Sequence, residues 1–171
     1  MIEAVLAKFE SFIKFSKPIE QLPAAISVRP VIEAAFIARK DILSTKQVRL
    51  VQNIPVNITA RLDTDALNQL IDSLIDNAVK FSQDGGEVSV IARITKGTTE
   101  LIIKDTGIGI EPSKLSQLMM PFSRATDVMQ FDYEGIGLSL YLNRVLLEQA
   151  GGQMTIQSTP GKGTTVTVVL P

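Results

Sequence analysis

The stretch ELIIKDTGIGI, residues 100–110, joins an apolar run that reads as a β-strand to a turn with two glycines two residues apart. Glycines in such a turn let the backbone come close to a phosphate, because no Cβ intervenes. Two common designs of this kind do not fit. A P-loop requires G-x-x-x-x-G-K-[S/T], and no window of the chain supplies it. A dinucleotide fingerprint requires G-x-G-x-x-G, but Gly107-Ile108-Gly109 is followed three residues later by Pro112. The turn therefore has to be read together with the rest of the chain.

Composition removes several chemistries. The 171 residues carry a net charge of −1, which gives no electrostatic ground for nucleic acid or an anionic membrane as a partner. There is no cysteine, so disulfides and thiolate metal sites are excluded. There is no histidine either, which removes imidazole bases, His-ligated zinc and Ser/His triads. No apolar run reaches the length of a membrane span, and the first residues lack a signal-peptide pattern.

Helices and strands alternate along the chain. Residues 1–17 place Ile2, Val5, Leu6, Phe9, Phe12 and Ile13 at three- and four-residue steps, the pattern of an amphipathic helix. Pro18, Pro23 and Pro30 punctuate the next stretch, which sets residues 18–29 apart as a linker ahead of a domain over 30–171. VIEAAFIARKDILSTK (31–46) reads as one helix, and VRLVQNI (48–54) with VNITARL (56–62) as a hairpin broken near Pro55. Residues 63–82 make the clearest helix, capped by Asp63 or Thr64. Strands are expected at 87–95 and 98–105, joined at Lys96-Gly97, and again at 153–159 and 163–171. GIGLSLYLNRVLLEQA (135–150) is apolar nearly all round and reads as a buried helix stopped at Gly151-Gly152. Hairpins with a few helices predict an α+β fold, a two-layer sandwich, and not a doubly wound sheet.

Three features join the glycine turn. The helix over 63–82 stacks Ser73, Asn77 and Lys80 opposite its apolar stripe, so an amide oxygen and an ammonium lie one turn apart. These donors suit a hard cation and a phosphate chain, although a solvated face has the same composition. PFSRA (121–125) puts Arg124 beside an aromatic residue in the unassigned stretch 119–134, where it reads equally as a surface loop. GIGL (135–138) opens a helix, whose free N–H groups favour phosphate. GKGT (161–164) is compatible with a tight hairpin turn.

Taken in order, these segments resemble the ATP-binding domain of sensor histidine kinases, in the superfamily shared with gyrase-, Hsp90- and MutL-type ATPases. The resemblance runs from about Val28 to Leu170. LIDSLIDNAVKFS (70–82) is similar to the N box, DTGIGI to the G1 box, PFSRA to the F box, GIGL to the G2 box and GKGTT to the G3 box. It implies the Bergerat fold: a mixed, mostly antiparallel sheet with three main helices on one face, and ATP with Mg²⁺ as ligands. It implies that Asn77 coordinates the metal, that Lys80 contacts phosphate and that Phe81 lies beside the nucleotide. Asp105 would accept a hydrogen bond from the adenine amino group, where guanine presents a carbonyl oxygen instead. Gly107 and Gly109 would keep the turn below the base clear. Arg124 would act near the γ-phosphate, with residues 119–134 as an ATP lid. Gly135, Gly137 and Leu138 would offer amides to the phosphates, and Thr164 would line the base end.

One departure bears on the reaction. Ser73 stands where the kinases of this family usually carry asparagine and the ATPases and serine kinases a glutamate base. A neutral serine cannot serve as that base. The resemblance therefore implies phosphotransfer to a histidine, and that histidine lies outside this sequence. Residues 1–17 would be the end of the preceding dimerisation helix, the acceptor-bearing domain and a response-regulator receiver the partners, and the full-length protein a homodimer. The domain is expected in the cytoplasm, in some members as part of a membrane-anchored sensor, with no direct membrane or nucleic-acid contact of its own. The alternatives are a regulatory module that binds nucleotide without transferring phosphate, and a serine kinase or ATPase of the same superfamily.

Overall fold

The computed structural model describes residues 23–115 and 139–171. A short strand β1 (Ile26–Ser27) leads into helix α1 (Val28–Ile37), a one-and-a-half-turn helix α2 (Lys40–Thr45) and strand β2 (Arg49–Asn53). Strand β3 (Thr59–Ala60), the long helix α3 (Thr64–Phe81) and the strands β4 (Glu87–Thr95) and β5 (Thr98–Asp105) come next. A single turn α4 (Pro112–Leu115), helix α5 (Ser139–Gln149) and the strands β6 (Gln153–Thr159) and β7 (Gly163–Leu170) complete the described fold.

The main sheet has the order β2-β4-β5-β7-β6; β2 pairs parallel with β4 and every other pairing is antiparallel. One face of the sheet carries Val88, Val90, Leu101, Ile103, Val168 and Leu170, all nearly inaccessible. Alternation along each strand sends these residues to one side, where helix α3 lies across β5 and β7, flanked by α1 and α5. The expected α+β two-layer sandwich, mixed and mostly antiparallel, is therefore the fold.

Helix α3 is the element on which the core turns. Its spacing buries Leu67, Leu70, Ile71, Leu74 and Ile75, each at most 2% exposed. Each such side chain contributes roughly 1.5–3 kcal/mol relative to exposure, far more than intrinsic propensity supplies. Asp63 caps the N-terminus by accepting from the amides of Asp65 (3.0 Å) and Ala66 (3.2 Å). At the other end Lys46 Nζ donates to the carbonyls of Val79 (3.1 Å), Lys80 (2.8 Å) and Ser82 (2.6 Å). A cation among the last free carbonyls satisfies them and complements the helix dipole.

Three expectations are corrected. Residues 48–62 do not form a hairpin: β2 pairs with β4, whereas β3 pairs antiparallel with β1. The reason is that two alternating runs indicate strands but not partners. A parallel pair needs a long crossover, and α3 supplies it. The helix expected over 31–46 is two helices, because the chain leaves helical geometry at Arg39 (φ −112°, ψ 13°). The first of them starts at Val28, with Pro30 inside its first turn, where a missing N–H costs no intrahelical bond. The third concerns α5, which is buried along one stripe (Leu142, Asn143, Leu146, Leu147) and not all round. Its stop is as expected: Gly151 takes φ +80°, and the amides of Gly151 and Gly152 reach back to Glu148 O (3.1 Å) and Leu147 O (2.7 Å). The turn at Lys96-Gly97 also forms, with both residues at positive φ.

The triple contact of Lys46 gives the first testable consequence. Lys46→Met leaves three carbonyls at the end of α3 without their donor and lowers stability by about 1–3 kcal/mol, read as a reduced midpoint in urea unfolding with an unchanged slope.

Candidate functional site

The central strand β5 ends at Asp105, and the turn after it is stitched to three other parts of the chain. Thr106 N donates to Glu87 O (3.0 Å), Ile108 N to Phe81 O (3.1 Å), and Gly161 N to Ile108 O (2.7 Å). Ile110 N donates to Ser158 Oγ at 2.8 Å, and that hydroxyl donates to Gly163 O at 2.9 Å. The turn is thus held between the C-terminus of α3 and the β6–β7 hairpin.

Asp105 is 6% exposed. Its Oδ1 accepts from Gly107 N (2.8 Å) and Thr164 N (3.2 Å), whereas among the described residues its Oδ2 accepts no hydrogen bond. Burial pushes the carboxyl above its ordinary 3.8, and the amides of Gly107, Thr164 and Asp105 itself pull it back in part. A buried carboxylate with one oxygen fixed and the other free is an oriented acceptor for a ligand N–H.

The glycines explain how that carboxylate is reached. A Cβ on Gly107 would lie 2.1 Å from Phe81 O and 2.6 Å from Asp105 Oδ1. At Gly109, with φ +67°, it would meet Thr159 O at 2.0 Å. Both positions are thus glycine because the protein's own backbone passes there. Gly163, a member of GKGTT with no role of its own in the sequence reading, is equally constrained: with φ +103°, a Cβ there would meet Asp105 O at 2.0 Å. The G-x-G spacing before a strand was its only signal in the sequence.

Asn77 and Lys80 lie on α3 and are half-buried. Among the described residues the Asn77 side chain makes no hydrogen bond, whereas Lys80 Nζ pairs with Asp76 Oδ2 at 2.8 Å. Phe81 gives its carbonyl to the glycine turn. Thr164 stands next to Asp105 through its amide, and its hydroxyl lies 2.9 Å from Ser158 Oγ. Ser73 is tied to α5, accepting from Asn143 Nδ2 at 3.2 Å, with Asn143 itself 1% exposed. Asp72 and Asp76, the carboxylates nearest to Ser73 in sequence, are both ion-paired with Arg39. The structure therefore brings Asp105, Gly107, Gly109 and Thr164 together with Phe81 at the end of α3. Arg124, Gly135, Gly137 and Leu138, together with the expected helix over 1–17, lie outside the described residues.

Comparison with known proteins agrees with this geometry. The chain belongs to the family described as histidine kinase-, DNA gyrase B- and HSP90-like ATPases, whose profile matches residues 62–171. It is 40% identical over 117 residues to the histidine protein kinase DivJ of Caulobacter vibrioides, a match covering 68% of this chain and 19% of that protein. The chain thus spans about a fifth of the length of that curated relative. Among solved structures it is similar in fold to the mycobacterial sensor histidine kinase MprB (TM-score 0.72, 23% identity, 88% of this chain and 97% of that one). Full-length ShkA, solved in complex with AMPPNP, superposes with TM-score 0.79 at 20% identity over 98% of this chain and 35% of ShkA.

Two variants test the site. Because the folded pKa of Asp105 is raised, ionisation opposes folding. That cost is absent below the ordinary value near 3.8 and complete once the pH exceeds the folded value. Asp105→Asn therefore stabilises the unliganded protein at neutral pH, and the gain shrinks as the pH falls towards 4, which paired thermal melts across pH will show. Gly163→Ala forces a side chain against Asp105 O in a backbone region foreign to alanine. It lowers stability by about 2–4 kcal/mol, measured by urea unfolding.

Proposed function

We propose that this member of the family binds ATP with Mg²⁺ and transfers the γ-phosphoryl group to a histidine outside these residues, as the catalytic domain of a sensor histidine kinase. The observation that carries the reading is the buried Asp105, with Oδ1 fixed by two amides and Oδ2 free among the described residues. An acceptor fixed in that way selects the adenine amino group and rejects the guanine carbonyl. The identity to the histidine kinase DivJ, over 117 residues of this chain, supports the reaction.

Each residue has a part. Asp105 orients the base, with Thr164 beside it. Asn77 offers an amide oxygen with no competing partner among the described residues, a fitting contribution to an ion that otherwise takes water and phosphate oxygens. Mg²⁺, when bound there, supplies neutralisation of the triphosphate charge. Lys80 holds phosphate, Phe81 lies beside the nucleotide, and Gly107 and Gly109 shape the floor of the turn. Arg124 and the amides of Gly135, Gly137 and Leu138 complete the phosphate end in this reading. Catalysis is then mostly positioning, with positive charge placed where negative charge gathers in the transition state.

Ser73 separates this reaction from hydrolysis. The position holds a hydroxyl engaged with Asn143, and the neighbouring Asp72 and Asp76 are held by Arg39. With the two carboxylates nearest Ser73 in sequence engaged by Arg39 among the described residues, the domain is read as a poor hydrolase. A neutral imidazole acceptor needs no such base at neutral pH. The acceptor domain, a dimeric full-length protein and a response-regulator receiver are the partners this reading calls for, and the cytoplasm is the compartment that supplies them with ATP.

Calorimetric titration tests the proposal. ATP binds in the presence of Mg²⁺ and GTP does not, and Asp105→Asn weakens ATP by about 10–100-fold, the worth of a hydrogen bond to a charged group. When a separate acceptor-bearing dimerisation domain is added, label moves from γ-labelled ATP to an acid-labile phosphohistidine. An acid-stable phosphoserine would point instead to a serine kinase, and binding without transfer to a regulatory module.

A further inference from the structure

Arg39 stands at the break between α1 and α2 and reaches sideways onto α3. Its Nη1 donates to Asp72 Oδ1 (2.6 Å) and Ala35 O (2.9 Å), its Nη2 to Asp72 O (3.1 Å), and its Nε to Asp76 Oδ1 (3.2 Å). The side chain is 11% exposed. Asp76 turns its second oxygen, Oδ2, to Lys80 Nζ at 2.8 Å, one helical turn further on. A single carboxylate thus joins an enclosed guanidinium to a half-exposed ammonium. Lys80 is also three residues past Asn77, so two lines meet at it: one from the α1–α2 break, the other from the proposed metal ligand.

Charge gives the arrangement its sense. Left alone with Lys80, Asp76 would be its full counter-ion at contact distance and would compete with any phosphate for the ammonium. Arg39 takes up that negative charge from the other side, so the four groups, two cations and two anions, sum to zero without exhausting Lys80. Burial draws the guanidinium pKa down, but hydrogen bonds and charge from Asp72 and Asp76 hold it above its ordinary value. Arg39 therefore stays charged at any working pH. The planar fork of arginine can reach both carboxylates and two carbonyls together, which a lysine ammonium cannot do with the same geometry.

We propose that Arg39 is a positioning residue for nucleotide binding: it fixes and neutralises Asp76, so that Lys80 rests in place with its charge available to the polyphosphate. The inference rests on the reading of Lys80 as a phosphate contact. It differs from a structural role in its consequence, because only phosphate-bearing ligands feel Lys80.

The test uses the whole chain and two probes, Mg²⁺-ATP and adenosine, by calorimetry at fixed ionic strength. Arg39→Met weakens ATP by about tenfold, the scale of one charge-assisted hydrogen bond, and leaves adenosine within about twofold. Arg39→Lys, which restores the charge without the fork, recovers part of the loss. In a Lys80→Met background, Arg39→Met adds little, because the residue through which it acts is gone. Should Arg39→Met fail to fold, Arg39→Gln carries the same comparison. Equal weakening of ATP and adenosine overturns the proposal in favour of a structural role; so does unchanged ATP binding, or an undiminished effect in the Lys80→Met background. A wild-type chain that binds neither probe overturns the functional reading itself, whereas a wild type that binds both, with no variant effect, overturns only the role of Arg39.

Discussion

The site depends on one buried carboxylate at the end of the central strand. Asp105 is expensive to bury, and burial alone disfavours its charged form. Two amides, from Gly107 and Thr164, offset part of that cost at one oxygen and leave the other directional. Both donors come from chain that must pass within a backbone's thickness of Asp105, which is why Gly107 and Gly163 can carry no side chain. The turn after β5, the end of α3 and the β6–β7 hairpin are in this sense one construction, arranged around a single acceptor.

Helix α3 links that acceptor to the rest of the molecule. Its apolar stripe is the centre of the core, and its other faces carry Ser73, Asp76, Asn77 and Lys80. Polar side chains hold it from outside. Arg39 grips Asp72 and Asp76, Lys46 closes its C-terminus, and Asn143 bridges to Ser73 from α5. A helix gripped from three directions can present an amide and an ammonium in a fixed relation to Asp105. Preorganisation of this kind lowers the cost of ordering a charged ligand. The same ties engage Asp72 and Asp76, the carboxylates nearest Ser73 in sequence, so the proposed reading of transfer over hydrolysis draws on what holds the helix as well as on Ser73.

Much of this was legible in the sequence. The stripe of α3 and its Asp63 cap follow from helical periodicity and a side chain suited to cap free amides. The β4–β5 hairpin follows from Lys96-Gly97, and the stop of α5 from Gly151-Gly152, because few residues tolerate positive φ. Asp105, Gly107, Gly109 and Thr164 were recognisable as a set through the order of their motifs. Illegible were the pairing of β2, the break at Arg39 and the reason for Gly163. Each depends on a neighbour distant in the chain: Arg39 on residues 33 and 37 positions away, and Gly163 on Asp105.

What the sequence determined by itself, then, is the main strands, the helix α3 with its apolar face, and the chemical inventory of the site. Those properties are written in local periodicity, turn chemistry and composition, including the absence of histidine and cysteine. Tertiary structure alone decided who pairs with whom: β2 with β4 across the α3 crossover, Asp105 Oδ1 with the amide of Thr164, and Asp76 with Arg39 and Lys80 together. Local pattern says which side of an element is apolar and which residue can bend a turn. Only close packing brings a particular backbone or charge into reach, because contact distance is a property of the folded arrangement and not of spacing along the chain.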